Sequence, residues 1–149
     1  MQVKEVMTAN PASCTPDTRL PEVAKMMVDN DCGEIPVVEN KETKIPLGVI
    51  TDRDIVVRAV AKDKGALELT AADCMSKPVT TVTPETSVEE CGRIMEGKQI
   101  RRIPVVDAKG ALCGIVALAD LALQVRTGVA GDVIKEVSEP GRSTSAGVG

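Results

Sequence analysis

Apolar residues recur along the chain at helical spacing in some segments and as short runs in others. The first helix is predicted from one apolar stripe at the i, i+3, i+4, i+7 spacing, formed by Leu20, Val23, Ala24 and Met27. Thr18 is expected to cap this helix, and Pro21 is tolerated in its first turn. Asp31-Cys32-Gly33 is expected to end it.

Two apolar runs separated by a polar loop predict a pair of strands after this helix. Ile35-Pro36-Val37-Val38 is the first strand, with Pro36 at its start or at a sheet edge. Residues 39–44 are the loop, and residues 45–50 are the returning strand. A second helix is expected from Thr51 to about Lys62. A helical lead-in at residues 3–7 and an extended segment at 14–16 come first, so the order is β-α-β-β-α.

The same pattern returns in the second half of the chain. Thr15-Pro16 recurs as Thr83-Pro84, 68 residues later, and a second I-P-V-V run begins at Ile103 with the same offset. The stripe recurs as Val88, Cys91, Gly92 and Met95. An internal duplication of this kind indicates two copies of one supersecondary unit. A three-stranded sheet is marginally stable alone, so we predict an α/β (α+β) fold in which two β-α-β-β-α repeats pack through their small sheets with pseudo-twofold symmetry.

The domain boundaries follow from the duplication. Residues 1–62 form the first repeat, residues 63–70 a short polar linker and residues 71–127 the second repeat. Residues 128–149 are rich in Gly and Ser, and we expect a flexible tail with at most one helix at 132–137.

Composition narrows the function. The 149 residues include no aromatic residue and no His, and the net charge is −4. Aromatic base stacking is therefore impossible and a nucleic-acid partner is not expected. No apolar run is long enough to span a bilayer, so no membrane association is expected. Five cysteines without regular spacing favour a reducing cytoplasm. No nucleophile elbow, Walker loop or metal-ligand cluster occurs, so we expect no catalysis and no metal.

The segment Gly48-Val49-Ile50-Thr51-Asp52-Arg53-Asp54-Ile55 carries the candidate chemistry. Thr51 and Asp54 have the spacing of a capping box at the start of the second helix. A capping box alone would be a purely structural feature. The alternative is an anion site, because exposed amides and the helix dipole favour a phosphate there, and a nearby acid can accept hydrogen bonds from ribose hydroxyls.

Taken together, these motifs resemble the cystathionine β-synthase (CBS) domain in tandem, the Bateman module. The residues that carry the resemblance are M-T, T-P-D-T, I-P-V-V and G-V-I-T-D-R-D-I in the first repeat, and M-S, T-P-E-T, I-P-V-V and G-I-V-A-L-A-D-L in the second. The chain is most similar to stand-alone bacterial pairs such as the hypoxic-response type. The resemblance implies a regulatory module that binds an adenosine nucleotide (AMP, ADP, ATP, NAD or S-adenosylmethionine) in the cleft between the repeats. It also implies a homodimer acting on an unknown protein partner.

The resemblance also implies roles for individual residues. Thr51 would contact phosphate or ribose, and Asp54 would accept from the ribose. Asp120 occupies the second carboxylate position, although Ala117 stands where its hydroxyl should be, and Asp120 can equally be a first-turn acid that the helix dipole stabilises. Arg101 and Arg102 would bind phosphate, or else be a solvated pair. The adenine walls would include Ile35, Pro36, Thr8 and Asn10.

Two other functions stay open at this point. One is a ligand-free dimeric interaction protein that has kept the fold. The other is a cysteine-based redox or metal sensor. Cys91 lies on the apolar stripe and is expected to be buried, whereas Cys14, Cys32 and Cys74 fall near the ends of elements and are expected to be accessible.

Overall fold

The computed structural model describes residues 1–124 and 126, and contains five strands and five helices in that part of the chain. The strands are β1 (Thr8–Ala9), β2 (Glu34–Val38), β3 (Pro46–Thr51), β4 (Arg102–Val106) and β5 (Leu112–Ala117). The helices are α1 (Leu20–Asp29), α2 (Asp52–Ile55), which continues as a π-helix (Val56–Val60), α3 (Ala71–Cys74), α4 (Val88–Lys98) and α5 (118–124). Short 3₁₀ turns occur at Val3–Glu5 and Ala66–Glu68.

Each repeat contains the predicted antiparallel hairpin. β2 pairs with β3 and β4 pairs with β5, both with a register shift at the second Val of I-P-V-V. β1 lies on the other side of β5 and completes a three-stranded sheet. The prediction of a three-stranded sheet within each repeat is wrong, because the extended segments before the first helices form only the single-residue bridges Cys14–Val37 and Val82–Val105. The third strand beside β5 is β1 from the first repeat, and the β2–β3 hairpin has no third strand.

The two repeats exchange their first segments. β1, at the start of the first repeat, pairs with β5 of the second, and Ser76, at the start of the second, pairs with Val49 of the first. The side chains follow the backbone: Val3 is buried in the core of the second repeat, and Ala71 and Cys74 are buried in the core of the first. The exchange ties the repeats together, since neither core is complete without residues from the other half.

The duplicated stripes bury equivalent positions in the two cores. Six of their residues are buried, namely Leu20, Val23 and Met27 on α1 and Val88, Cys91 and Met95 on α4. Ala24, predicted to share this face, is exposed instead. The buried face of α1 is therefore narrower than the stripe predicted, with positions i, i+3 and i+7 in the core.

The start of α1 also differs from the prediction. Arg19 is the N-cap and uses no side-chain hydrogen bond, and Thr18 instead accepts from the amide of Thr15 at 3.0 Å. The amide of Leu20 donates to the carbonyl of Leu69 at 3.0 Å, so a long-range backbone contact replaces the expected cap. The helix ends at Asp29, just before the predicted Asp31-Cys32-Gly33 segment.

The predicted helix at 132–137 and the tail after residue 127 lie outside the described residues. Within residues 1–124 and 126, no helix combines the length and apolar character needed to cross a membrane.

Candidate functional site

Thr51 and Asp54 form the predicted capping box. The Thr51 hydroxyl accepts from the Asp54 amide at 3.0 Å, and the Asp54 carboxylate accepts from the Thr51 amide at 3.0 Å. Both residues are half-buried at the junction of β3 and α2. The box leaves the proton of the Thr51 hydroxyl free to be donated, because the hydroxyl acts in it only as an acceptor.

Ser76 is a third member of this cluster. Its hydroxyl lies 3.1 and 3.2 Å from the two Asp54 carboxylate oxygens and donates to that carboxylate. Arg58 holds the segment before Ser76, since its Nη1 donates to the carbonyls of Cys74 and Met75 at 3.0 and 2.8 Å. Sequence reasoning missed Ser76, although its alignment with Thr8 in the duplication showed a hydroxyl at this position of both repeats.

The second repeat keeps the backbone of this arrangement and loses the hydroxyl. The amide of Leu118 donates to the carbonyl of Arg101 at 2.8 Å, as the amide of Asp52 donates to that of Gly33 at 2.9 Å. Ala117 occupies the position of Thr51 and offers no side-chain acceptor for the α5 amides. Asp120 is exposed. Of the two helices that directly follow a hairpin, only α2 in the first repeat therefore begins with a hydroxyl beside a half-buried carboxylate.

The structure separates the two arginines that the sequence grouped. Arg102 begins β4 and is half-buried, and its charge acts on Glu34. Arg101 is exposed and lines a groove of about 860 Å³ between α4 and α5. Neighbouring residues of an extended chain point in opposite directions, so only Arg102 lies on the side of Asp54 and Glu34.

Glu34 is a further charged residue that sequence reasoning did not select. It begins β2 opposite Thr51, and burial raises the pKa of its carboxyl to about 7. The Arg102 charge lowers this pKa and the Asp54 charge raises it. Its Oε2 is buried and has no hydrogen-bond partner among the described residues. The signal was again in the duplication, which aligns Gly33-Glu34 with Arg101-Arg102.

Replacing Glu34 with Gln is expected to stabilise the protein above neutral pH. Below about pH 4.5 the carboxyl is neutral in both states, whereas above about pH 7 the folded state must hold it ionised and buried. The Glu34 contribution to the free energy of unfolding therefore falls as pH rises from about 4.5 to 7, by about 3 kcal/mol. Chemical denaturation across this range should show a gap between variant and wild type that opens with rising pH.

The matched control is Glu42→Gln in the exposed β2–β3 loop. It should track the wild type at every pH, because its carboxylate is exposed to solvent. A constant gap for Glu34→Gln, or no gap, would show that burial does not disfavour the Glu34 charge.

The four predicted wall residues fall into two groups. Ile35 and Pro36 are fully buried in β2, so their side chains belong to the core and only their backbone is available to a ligand. Thr8 and Asn10 are exposed at the exchanged β1 segment. Asn10 has a φ of 49° and donates its amide to the carbonyl of Cys113 at 3.2 Å.

Three of the five cysteines are buried. Cys91 is buried as predicted, but the expectation of accessible Cys14 and Cys74 is wrong, since they are 2% and 0% exposed. Cys14 bridges to Val37, and Cys74 ends α3 inside the core of the first repeat. Burial raises the pKa of Cys14 to about 12 and raises the pKa of Cys74 and Cys91. None of the three presents a reactive thiolate at neutral pH.

A thiol reagent applied to the native protein at pH 8 should therefore react slowly with Cys14, Cys74 and Cys91. Mass spectrometry of the labelled chain should place early modification on the half-buried Cys32 and Cys113. All five thiols should react once denaturant is added, which serves as the internal control. Early labelling of Cys14 or Cys74 under native conditions would contradict the packing described above.

The comparisons with known proteins agree with the duplicated fold. The family model described as CBS domain matches residues 3–60 and 71–126, and the chain belongs to this family. The CBS domain-containing protein YhcV of Bacillus subtilis is 36% identical over 91% of this chain and 94% of its own. Hypoxic response protein 1 of Mycobacterium tuberculosis is 27% identical over 92% and 94%. The predicted resemblance and fold class are both confirmed.

Three solved structures share this fold. Hypoxic Response Protein I with two coordinated zinc ions has a TM-score of 0.73 and 29% identity, over 82% of this chain and 97% of its own. CBSX2 in complex with AMP has a TM-score of 0.70 and 25% identity, over 84% and 98%. The CBS domain pair of MJ0100 in complex with 5-methylthioadenosine and S-adenosyl-L-methionine has a TM-score of 0.74 and 25% identity, over 86% and 97%.

Proposed function

We propose that this protein is a non-catalytic regulatory module that binds an adenosine nucleotide or nucleoside derivative in the cleft between its CBS repeats. The observation that carries the proposal is the cluster of Thr51, Asp54 and Ser76, in which a hydroxyl and a carboxylate meet at the start of α2. Two proteins of the same fold, CBSX2 and MJ0100, were solved with adenosine compounds.

The cluster offers the hydrogen bonds that a ribose needs. A ribose diol presents two donors, and the Asp54 carboxylate has unused lone pairs beyond those occupied by Ser76 and the Thr51 amide. The free hydroxyl proton of Thr51 can be donated to a ligand oxygen. Arg102 supplies a positive charge on the same side, and the backbone of Ile35-Pro36 together with Thr8 and Asn10 would border the base.

A cysteine-based sensor has less support. Cys14, Cys74 and Cys91 are buried. Within residues 1–124 and 126, no group of three or more His, Cys, Asp or Glu side chains is placed to hold a metal ion. The zinc ions of Hypoxic Response Protein I are therefore not carried over to the described residues.

The proposed module acts as a homodimer. The helices present large apolar side chains to solvent, with Val56, Val60 and Leu123 between 54% and 60% exposed. The groove between α4 and α5 adds apolar surface on the second repeat. A second copy would cover these surfaces. Sedimentation at micromolar concentration should give twice the chain mass, and Val60→Glu should shift it toward the monomer.

Ligand-dependent stabilisation tests the proposal. A ligand that binds only the folded state at one hundred times its Kd adds about 2.7 kcal/mol to the free energy of unfolding. AMP, ADP, ATP, NAD, S-adenosylmethionine and adenosine should be compared by calorimetry or with a dye, because the chain has no Trp or Tyr. At least one should raise the Tm. If none does, the ligand-free interaction protein becomes the better explanation.

A further inference from the structure

Glu34 and Arg102 are equivalent residues of the duplication with opposite charge. They precede the two I-P-V-V runs at the same offset of 68 residues. Each begins the first strand of its hairpin and faces the last residue of the second strand, Thr51 for Glu34 and Ala117 for Arg102. The pseudo-twofold arrangement therefore sets one carboxylate against one guanidinium at the boundary between the repeats.

The two side chains act on each other without a direct ion pair. The only ion pair within 4.0 Å among the described residues is Arg93–Glu90, on the surface of α4. The Glu34 Oε2 is nevertheless buried and lacks a hydrogen-bond partner in the same part of the chain. When ionised, a buried carboxylate without an ion-pair partner repels a nearby negative charge strongly, because neither solvent nor a counter-charge screens it.

The charges around Glu34 come from several elements. Arg102 approaches from β4, and Asp54 lies in the first turn of α2. Asp52 is in the same turn, with its carboxylate against Gly33, and Cys32 donates its thiol to the Glu34 carbonyl at 3.5 Å. With Glu34 ionised, its carboxylate and that of Asp54 oppose the single guanidinium of Arg102 at this corner. The excess of negative charge at this corner would repel a ligand that carries several phosphates.

We propose that Glu34 determines the charge selectivity of the cleft. When ionised, it opposes ligands with several negative charges, so that the cleft favours adenosine compounds with little or no net negative charge. When Glu34 is neutral, Arg102 becomes available to phosphate. This inference rests on the proposed function and deepens it by naming the preferred ligand class.

The selectivity is linked to protons. Burial raises the pKa of Glu34 to about 7, so both of its charge states are populated near neutral pH. A polyphosphate ligand binds the form with neutral Glu34 better, and by linkage its binding draws a proton onto this carboxyl. Affinity for such a ligand therefore rises as pH falls from 8 to 6, whereas affinity for uncharged adenosine stays nearly constant.

Calorimetric titration of the full chain with adenosine and with ADP tests the proposal. At pH 8, Glu34→Gln should raise ADP affinity about tenfold over the wild type and change adenosine affinity less than twofold. At pH 6 the difference in ADP affinity between Glu34→Gln and the wild type should be smaller. Glu42→Gln is the control and should match the wild type with both ligands. If the wild type binds both ligands, equal changes in ADP and adenosine affinity, or no change in ADP affinity, would overturn the proposal.

Inorganic tripolyphosphate separates this inference from the proposed function. If neither protein binds adenosine or ADP, the nucleotide-binding function fails. The charge selectivity still predicts that tripolyphosphate at pH 8 raises the Tm of Glu34→Gln more than that of the wild type, and that adding Arg102→Gln removes the difference. Equal Tm shifts in Glu34→Gln and wild type, including no shift in either, would overturn the selectivity by itself.

Discussion

Asp54→Ala is expected to abolish the tighter of two adenosine-binding events, whereas Asp120→Ala should alter only a weaker one. Asp54 is hydrogen-bonded to Thr51 and Ser76, whereas the second repeat has Ala117 at the position of the Thr51 hydroxyl. One hydrogen bond to a charged group contributes roughly 1.5–3 kcal/mol. The two sites should therefore differ about ten- to hundredfold in affinity. Isothermal titration of both variants measures this difference.

Thr51→Ala should give an intermediate result. It removes the ligand contact and also the helix cap, which alone contributes about 1 kcal/mol to stability. Thermal denaturation of each variant without ligand separates the loss of folding from the loss of binding. If Asp120→Ala eliminated tight binding while Asp54→Ala left it intact, the ligand would occupy the second repeat and our assignment of the two sites would be reversed.

Gly48→Ala is expected to destabilise the fold by about 3 kcal/mol. A Cβ at Gly48 would collide with the backbone carbonyl oxygen of Ser76, on the segment exchanged from the second repeat. Neither backbone can move easily, because the Val49 amide donates to the Ser76 carbonyl and the Ser76 amide to the Val49 carbonyl, at 3.0 and 2.8 Å. Moving Ser76 would also weaken its bond to Asp54. The variant should therefore lose both stability, measured by urea denaturation, and ligand affinity.

The duplication supplies a graded comparison. At the equivalent Gly114, a Cβ would first meet the flexible side chain of Met7, with Sδ at 2.5 Å, and the Thr8 carbonyl lies farther away at 3.2 Å. Gly114→Ala should consequently cost less than Gly48→Ala. Gly92 in α4 has open space around its Cβ position, and Gly92→Ala should stabilise the protein by up to about 1 kcal/mol. If Gly48→Ala and Gly114→Ala lowered the free energy of unfolding equally, the exchanged segments would have to move freely enough to accommodate the added Cβ.

Features that depend on neighbouring residues were predictable. The two hairpins follow from apolar runs on either side of a polar loop. The Thr51–Asp54 box follows from a spacing of three residues, and the structure forms both of its hydrogen bonds. The duplication predicted that one unit occurs twice. It also aligned Ser76 with Thr8 and Glu34 with Arg102. This alignment was the sequence signal for Ser76 and Glu34, the two site residues that sequence reasoning did not select.

The sequence by itself thus determined the repeated unit, six of the eight positions in its apolar stripes and the local hydrogen bonds at Thr51, because these depend on residues within a few positions of one another. Only the tertiary structure decided the exchange of first segments, the burial of Cys14 and Cys74, and the unpaired carboxylate of Glu34. These features join residues far apart in the chain. The packing of the two repeats sets which of these residues are buried and which partners they have, and residue spacing along the sequence does not predict that packing.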